Sequence, residues 1–129
     1  MYLINLIIVP FVAALPAITI RQTGILSASC TNIELVNGYP GKALNDNLKG
    51  SCSGPQGQKL ESTLDLNQCV GIDYSNNTLI WTPMGKLRNY CDTCSLKDGN
   101  VLACTCNQQA STLKLDDGVV IRDGSLSCK

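Results

Sequence analysis

Ser62-Thr63-Leu64-Asp65-Leu66-Asn67 and Ser111-Thr112-Leu113-Lys114-Leu115-Asp116 are two copies of one pattern. In each copy leucine alternates with polar residues, the period of a strand with one buried face. Leu64 and Leu66, and likewise Leu113 and Leu115, are therefore expected to share a core-facing side. A turn and a matching strand follow both copies: Asn77-Thr78-Leu79-Ile80-Trp81 after the first, Gly124-Ser125-Leu126-Ser127-Cys128 after the second. Two spaced cysteines precede each, Cys30 with Cys52 and Cys91 with Cys106. Three blocks recurring in one order make an internal repeat. A unit of roughly 50 residues with one apolar face per strand cannot cover itself, since lone hairpins are marginal in water. Two copies can cover each other. The expected fold is all-β, a pseudo-twofold body of two tandem repeats with shared strands.

Working outward, the rest of the chain supports strands and turns. Short apolar or β-branched segments alternate with Asn37-Gly38-Tyr39-Pro40-Gly41, Ser53-Gly54-Pro55-Gln56-Gly57, Ser75-Asn76-Asn77, Asp98-Gly99-Asn100 and Asp123-Gly124. Past residue 17 no segment keeps an amphipathic helical period over ten residues. The Gly-, Pro-, Asn- and Lys-containing stretch from Val36 to Lys49 reads as a mobile surface loop. Trp81 alternates in phase with Leu79 and is assigned to the core.

The first 17 residues read differently. Leu3 to Ala14 is almost continuously apolar, with Pro10 and Pro16 and small residues at Ala13, Ala14 and Ala17. The run is too short for a membrane span, which needs roughly 20 apolar residues. It fits a secretory signal over residues 1–17, cleaved after Ala14 or Ala17; the alternative is an N-terminal core strand. The mature part then holds all 8 cysteines of the 129-residue chain. An even count in a short exported chain implies a disulfide framework and an extracellular location.

Charge and composition exclude several classes. Ten basic and ten acidic residues balance, and the Lys and Arg residues form no run. There is no footprint for nucleic acid or for a membrane surface. Histidine is absent, which removes the commonest general base and metal ligand. A glycosidase would need two carboxylates about 5–9.5 Å apart across a cleft. Asp116 and Asp117 are adjacent and read as a turn or cap, so no catalytic residue and no cofactor is assigned.

The order Ser-Cys, Gly-Ser-Cys, Ser-Thr-Leu-Asp-Leu-Asn, Leu-Ile-Trp, Leu-Ala-Cys-Thr-Cys, Leu-Lys-Leu-Asp-Asp and Asp-Gly-Ser-Leu resembles the cyanovirin-N homologues, in particular their secreted, cysteine-rich fungal members. The likeness runs over residues 27–129, with one repeat at about 27–81 and the other at about 89–129. It implies binding of mannose-type oligosaccharides or glycoproteins at one or two sites near opposite ends. It also implies bridges Cys30–Cys52 and Cys91–Cys106, and pairing of Cys69 with Cys128. Cys94 and Cys104 remain, and turn chemistry supports their union independently. With Asp98-Gly99-Asn100 as a three-residue hairpin loop, Lys97 faces Val101, Leu96 faces Leu102 and Cys94 faces Cys104. Nesting that bridge inside Cys91–Cys106 requires a bulge, or a strand that starts after Cys91.

The resemblance carries the first end site onto Ala28 and Ser29, Ser53 to Gln56, and Ile121 to Asp123, with Ser29, Ser53, Gln56, Arg122 and Asp123 as its polar contacts. Ile121 stands where the family often has asparagine. The second end site falls on Asp73, Lys86, Asn89, Tyr90, Asn107, Gln108 and Gln109, with Ile72 again replacing an asparagine and a shortened loop after Cys106. Ordinary turn chemistry is the competing reading for the residues of the first end. Asn76-Asn77-Thr78 is a glycosylation sequon and places Asn76 in an exposed turn. Two other readings stay open. Cys91-x-x-Cys94 with Cys104-x-Cys106 has the spacing of a four-thiolate zinc site, although no metal is assigned. The two isoleucine replacements also allow an interaction or effector module that kept the fold and lost sugar binding. The chain is read as a monomer or a domain-swapped dimer.

Overall fold

The computed structural model describes residues 23–129; the signal-peptide reading falls on residues outside them. β1 (Thr23–Ile25) and the short helix α1 (Leu26–Ser29) lead into β2 (Cys30–Val36), β3 (Asn47–Ser53) and β4 (Lys59–Asp65). The hairpin β5 (Val70–Asp73) and β6 (Thr78–Trp81) follows. The second half repeats the order with β7 (Cys91–Lys97), β8 (Val101–Cys106), β9 (Gln109–Lys114), β10 (Val119–Arg122) and β11 (Ser125–Cys128). Hydrogen bonding joins β2–β3–β4 and β7–β8–β9 into two three-stranded sheets, pairs β5 with β6, and adds β1 to the β10–β11 hairpin. β6 packs on β9, and β11 packs on β4. Each half's hairpin therefore covers the other half's sheet, as two mutually dependent repeats require.

The core repeats with the chain. Leu26 and Leu87, Leu48 and Leu102, Leu66 and Leu115, and Val70 and Val119 are matched pairs, all of them buried. Burial of each leucine is worth about 1.5–3 kcal/mol. The repeated leucine pattern is not one continuous strand, however. Leu66 and Leu115 leave the strand and open 3₁₀ turns, Leu66–Gln68 and Leu115–Asp117, while Leu113 is only partly buried against the core. Local hydrogen bonds explain the first turn: the Asp65 carboxylate accepts the Asn67 amide at 3.0 Å, which favours a turn over an extended chain. Tertiary bonds hold both turns alike. Leu66 N–H donates to the Asp46 carbonyl, and Leu115 N–H to the Asn100 carbonyl, each at 3.0 Å.

The residue after each of these leucines then caps the opposite helical turn. Asn67 Oδ1 accepts the Arg88 amide at 2.7 Å, and Asp116 Oδ1 accepts the Ser27 amide at 3.1 Å.

Four disulfides join Cys30–Cys52, Cys69–Cys128, Cys91–Cys106 and Cys94–Cys104, leaving no free cysteine. The four sulfurs whose spacing also suits zinc are consumed in two of these bridges. Lys97 pairs with Val101, Leu96 with Leu102 and Cys94 with Cys104, and the ladder slips between Cys91 and Thr93. That bulge lets Cys91 and Cys94 both meet β8. The first half carries a slip at the equivalent place, between Thr31 and Glu34. There Ile33 packs against Gly50, 3.7 Å from where a glycine Cβ would stand. A large–small pair thus occupies the position of the second half's Cys94–Cys104 bridge.

The waist of the molecule uses the same substitution of covalent for packing contacts. Cys69 bonds Cys128, and at the related place Gly118 lies under Trp81, whose ring atoms would sit 2.1 Å from an added Cβ. Thr82 N–H donates to the Cys69 carbonyl at 2.8 Å, and Lys129 N–H to the Gly118 carbonyl at 2.9 Å. Trp81 is half-buried and packed on the core, in keeping with its assignment there.

The Val36–Lys49 stretch departs from expectation. β3 already begins at Asn47, and Leu44 and Asp46 are fully buried. Asp46 meets the Arg88 guanidinium at 3.0 Å and also accepts from Asn67 Nδ2 at 2.8 Å. Arg88 donates further to the carbonyls of Tyr39 and Lys42, and the Lys42 ammonium donates to those of Arg88 and Cys91. The loop is docked, because its lysine and aspartate find partners on the segment joining the two halves. Composition reports the turn residues and is silent about those distant partners.

Candidate functional site

Two ends of the molecule receive the polar residues singled out above. At the first, β1 lies along β10 with Gly24 opposite Ile121. Ser29 Oγ sits over Gly24, 2.5 Å from where a Cβ would be. The turn at Asp123-Gly124 backs onto Gly54, with Gly54 Cα only 2.9 Å from a Cβ placed on Gly124. Ser53 and Asp123 are thereby brought to neighbouring turns. Asp123 has a left-handed φ of 54°, a conformation Asp tolerates better than most side chains. The Gln56 amide donates to Gln58 Oε1 at 2.9 Å, and the Arg122 guanidinium donates to Ser127 Oγ at 3.3 Å. Ile121 is buried and contributes packing here.

The second end has a defined groove of about 480 Å³ between the β5–β6 turn and the linker that leads to β7. Its walls are Ile72, Asp73, Tyr74 and Ile80 on one side and Thr82 to Lys86 with Tyr90 on the other. The Asp73 carboxylate accepts from Ser75 N–H at 2.9 Å and from Ser75 Oγ at 2.7 Å. Those bonds hold its carboxyl below the usual range, so it is charged at neutral pH. Both use the same carboxylate oxygen, Oδ1. Tyr74 and Tyr90 meet edge to face, ring centres 5.5 Å apart and hydroxyls 2.8 Å apart. The shared hydrogen bond pushes the Tyr74 phenol up.

Asp73 and Lys86 thus line one groove, and the remaining expected contacts divide. Asn89 faces an adjoining groove of about 360 Å³ with Tyr39, Asn67, Arg88 and, again, Lys86. Asn107 and Gln108 form the two-residue tip between paired Cys106 and Gln109, both with left-handed φ (48° and 68°), the geometry of a type I′ hairpin. Asn107 is held by that tip: its Nδ2 donates to Asn77 Oδ1 at 2.9 Å and its amide to the Tyr90 carbonyl at 3.0 Å. It braces the turn beside the groove, and Gln108 and Gln109 lie exposed outside its walls.

Sequence reasoning missed Tyr74, Thr82 and Met84 as groove residues. Tyr74 had a readable signal, since it follows Asp73 into the turn. Met84 did not: it is 67% exposed on a left-handed backbone at φ 53°, which no periodicity announces.

Asn76 is exposed in the β5–β6 turn and accepts from Thr78 N–H and Oγ1 at 3.2 and 2.7 Å. Among the described residues no cluster of His, Cys, Asp or Glu is arranged to hold a metal, and no helix is long and apolar enough to cross a membrane.

Comparison with solved structures finds the same architecture in CVNH proteins. A CVNH protein of T. borchii superposes with a TM-score of 0.63 at 23% identity, covering 80% of this chain and 97% of that one. The CVNH protein of Gibberella zeae gives 0.62 at 22%, covering 79% and 94%. A MoCVNH3 variant, solved in complex with (N-GlcNAc)4, gives 0.67 at 18%, covering 82% and 97%. Comparison with curated proteins finds no match. The sequence pattern of the CVNH domain matches residues 26–127, and with the exchanged hairpins described above it places this chain in the CVNH domain family, the cyanovirin-N homologues.

Proposed function

We propose that this chain is an exported, non-catalytic carbohydrate-binding protein that takes mannose-type glycans, free or on glycoproteins, in the groove between the β5–β6 turn and the linker. One observation carries the reading: Asp73 and Lys86 share a shallow groove with the faces and edges of Tyr74 and Tyr90. A carboxylate with a free oxygen suits vicinal hydroxyls, while aromatic rings suit the apolar face of a pyranose. Membership of the CVNH family supports it. The first end, with Ser29, Ser53, Gln56, Arg122 and Asp123, is proposed as a weaker second site, because the Arg122 guanidinium and the Gln56 backbone N–H already donate within the protein. Four disulfides support folding in an oxidising compartment, as does the leader proposed over residues 1–17.

A second sugar class is favoured by Ile80 and Met84 in the groove wall. Apolar side chains welcome the methyl of an acetamido group, and the MoCVNH3 variant was solved with a GlcNAc tetramer. Titration of the oxidised protein with mannose oligosaccharides and with (GlcNAc)4, against Asp73→Ala and Tyr74→Ala variants, decides between them. Binding of neither sugar would discard the lectin reading and leave an interaction module that kept only the fold.

A further inference from the structure

We infer that the docked 37–46 loop adds a subsite to this groove, so that the protein recognises an extended oligosaccharide that crosses Lys86 and rests its far sugar on Tyr39. The inference builds on the groove proposed above. Lys86 lines both cavities, the one walled by Asp73 and the Tyr74–Tyr90 pair and the one walled by Tyr39 and Asn89. The two are therefore consecutive along the linker.

The second cavity separates its structural groups from its available ones. Asn67 spends its amide on Asp46, Asp65 and the Arg88 backbone. Arg88 spends its guanidinium on Asp46 and two loop carbonyls. What remains facing solvent is the Tyr39 ring, the exposed Asn89 amide and the Lys86 ammonium. An aromatic plane flanked by two polar donors is the chemistry of a pyranose site: the ring takes C–H groups and the donors take hydroxyl oxygens.

Tyr39 is also held in advance. Its hydroxyl donates to the Asp65 carboxylate, and the Arg88 guanidinium stacks over one face of its ring, 5.1 Å from the centre, so the opposite face is the one offered to a sugar. A side chain already fixed loses little entropy when a ligand arrives. Yet the residue remains 43% exposed. An apolar ring immobilised in the open has more use as a platform than as packing.

The test is a chain-length series of α-linked mannose oligosaccharides, two to five sugars long, and of GlcNAc oligomers, two to four long, titrated into the full disulfide-bonded protein. Wild type is expected to gain about tenfold in affinity from the shortest to the longest member of the series it binds, as one further stacked sugar would give. Tyr39→Ala should leave disaccharide affinity unchanged and remove about fivefold or more of that gain. Tyr39→Phe, which keeps the ring and its Arg88 stack but loses the Asp65 bond, should retain most of it. In amide NMR spectra, Asn89 and Tyr39 should respond to the long ligand and not to the disaccharide.

An affinity independent of length, or equal loss of short and long ligands in Tyr39→Ala, overturns the subsite and leaves the main groove standing. Absence of binding by every sugar overturns both.

Discussion

Ser62 Oγ accepts the amide hydrogen of Leu126, a residue of the other repeat, at 2.9 Å. The related Ser111 Oγ accepts that of Leu79 at the same 2.9 Å. The first letter of each repeated hexapeptide therefore stitches the exchanged hairpin of its partner half to its own sheet. Removing either hydroxyl leaves a part-buried amide without its acceptor. Ser62→Ala and Ser111→Ala are each expected to lower unfolding free energy by about 1–2 kcal/mol, measured by chemical denaturation, and their effects should add because the two bonds are separate. Thr replacements, which keep the hydroxyl, should lose less.

The four bridges should contribute unequally. Cys69–Cys128 spans 59 positions and ties the two halves together, whereas Cys94–Cys104 spans 10 and lies inside Cys91–Cys106. Replacing both cysteines of the long bridge by Ala should cost about 4 kcal/mol, as loop-closure entropy predicts. Removing the nested bridge should cost less than about 2 kcal/mol, since the outer bridge still closes that hairpin. The first half supplies the best replacement: Cys94→Ile with Cys104→Gly copies Ile33 and Gly50 and should outperform the double alanine variant in thermal melts.

Asp46 and Arg88 form a buried pair that pins the loop to the linker. Asp46→Ala should destabilise by about 3–5 kcal/mol, because it strands the guanidinium in a poorly solvated place. Replacing both, Asp46→Leu with Arg88→Met, should recover much of that loss. Hydrogen exchange should show the Lys86–Tyr90 amides losing protection in the single variant first.

The Tyr39–Asp65 contact makes stability depend on pH at both extremes. Its hydrogen bond pushes the Tyr39 phenol above its ordinary 10.0. Burial is the largest influence on Asp65 and pushes its carboxyl up, but bonds from Tyr39 and Asn67 and the charge of Arg88 outweigh it and leave the carboxyl below 3.8. A lowered carboxyl stabilises the fold above its unfolded value and loses that contribution as pH falls through the folded one. A raised phenol stabilises below its unfolded value and loses it as pH rises through the folded one. Wild type should therefore exceed Tyr39→Phe in denaturation midpoint between about pH 4 and 10, and the curves should converge outside that window.

Much of the fold was legible because its signals are local. Alternating leucines and turn residues act within a few positions, and their repetition at Ser62 and Ser111 announces two similar halves. The Asp98-Gly99-Asn100 turn even set the register that joins Cys94 to Cys104. The error over Leu66 and Leu115 shows where the alternation ends as a signal: it suits a strand and a strand-to-turn exit equally, and the local Asp65–Asn67 bond together with the tertiary bonds of Leu66 to Asp46 and Leu115 to Asn100 chose between them. The groove was half legible. Asp73 and Lys86 came from the family resemblance and line one groove, while Asn89 faces an adjoining cavity and Asn107 braces a turn.

By itself, then, the order of residues determined that this chain is a disulfide-linked, all-β pair of repeats in which each half needs the other to bury its leucines. Only the tertiary structure decided that the 37–46 loop is docked, that Tyr74 and Met84 wall a groove, and that Tyr39 stands beside it. The physical reason is range. Periodicity and turn propensity are carried by neighbouring residues, whereas Asp46 finds Arg88, and Tyr39 finds Asp65, only after the chain has brought distant segments within hydrogen-bonding distance.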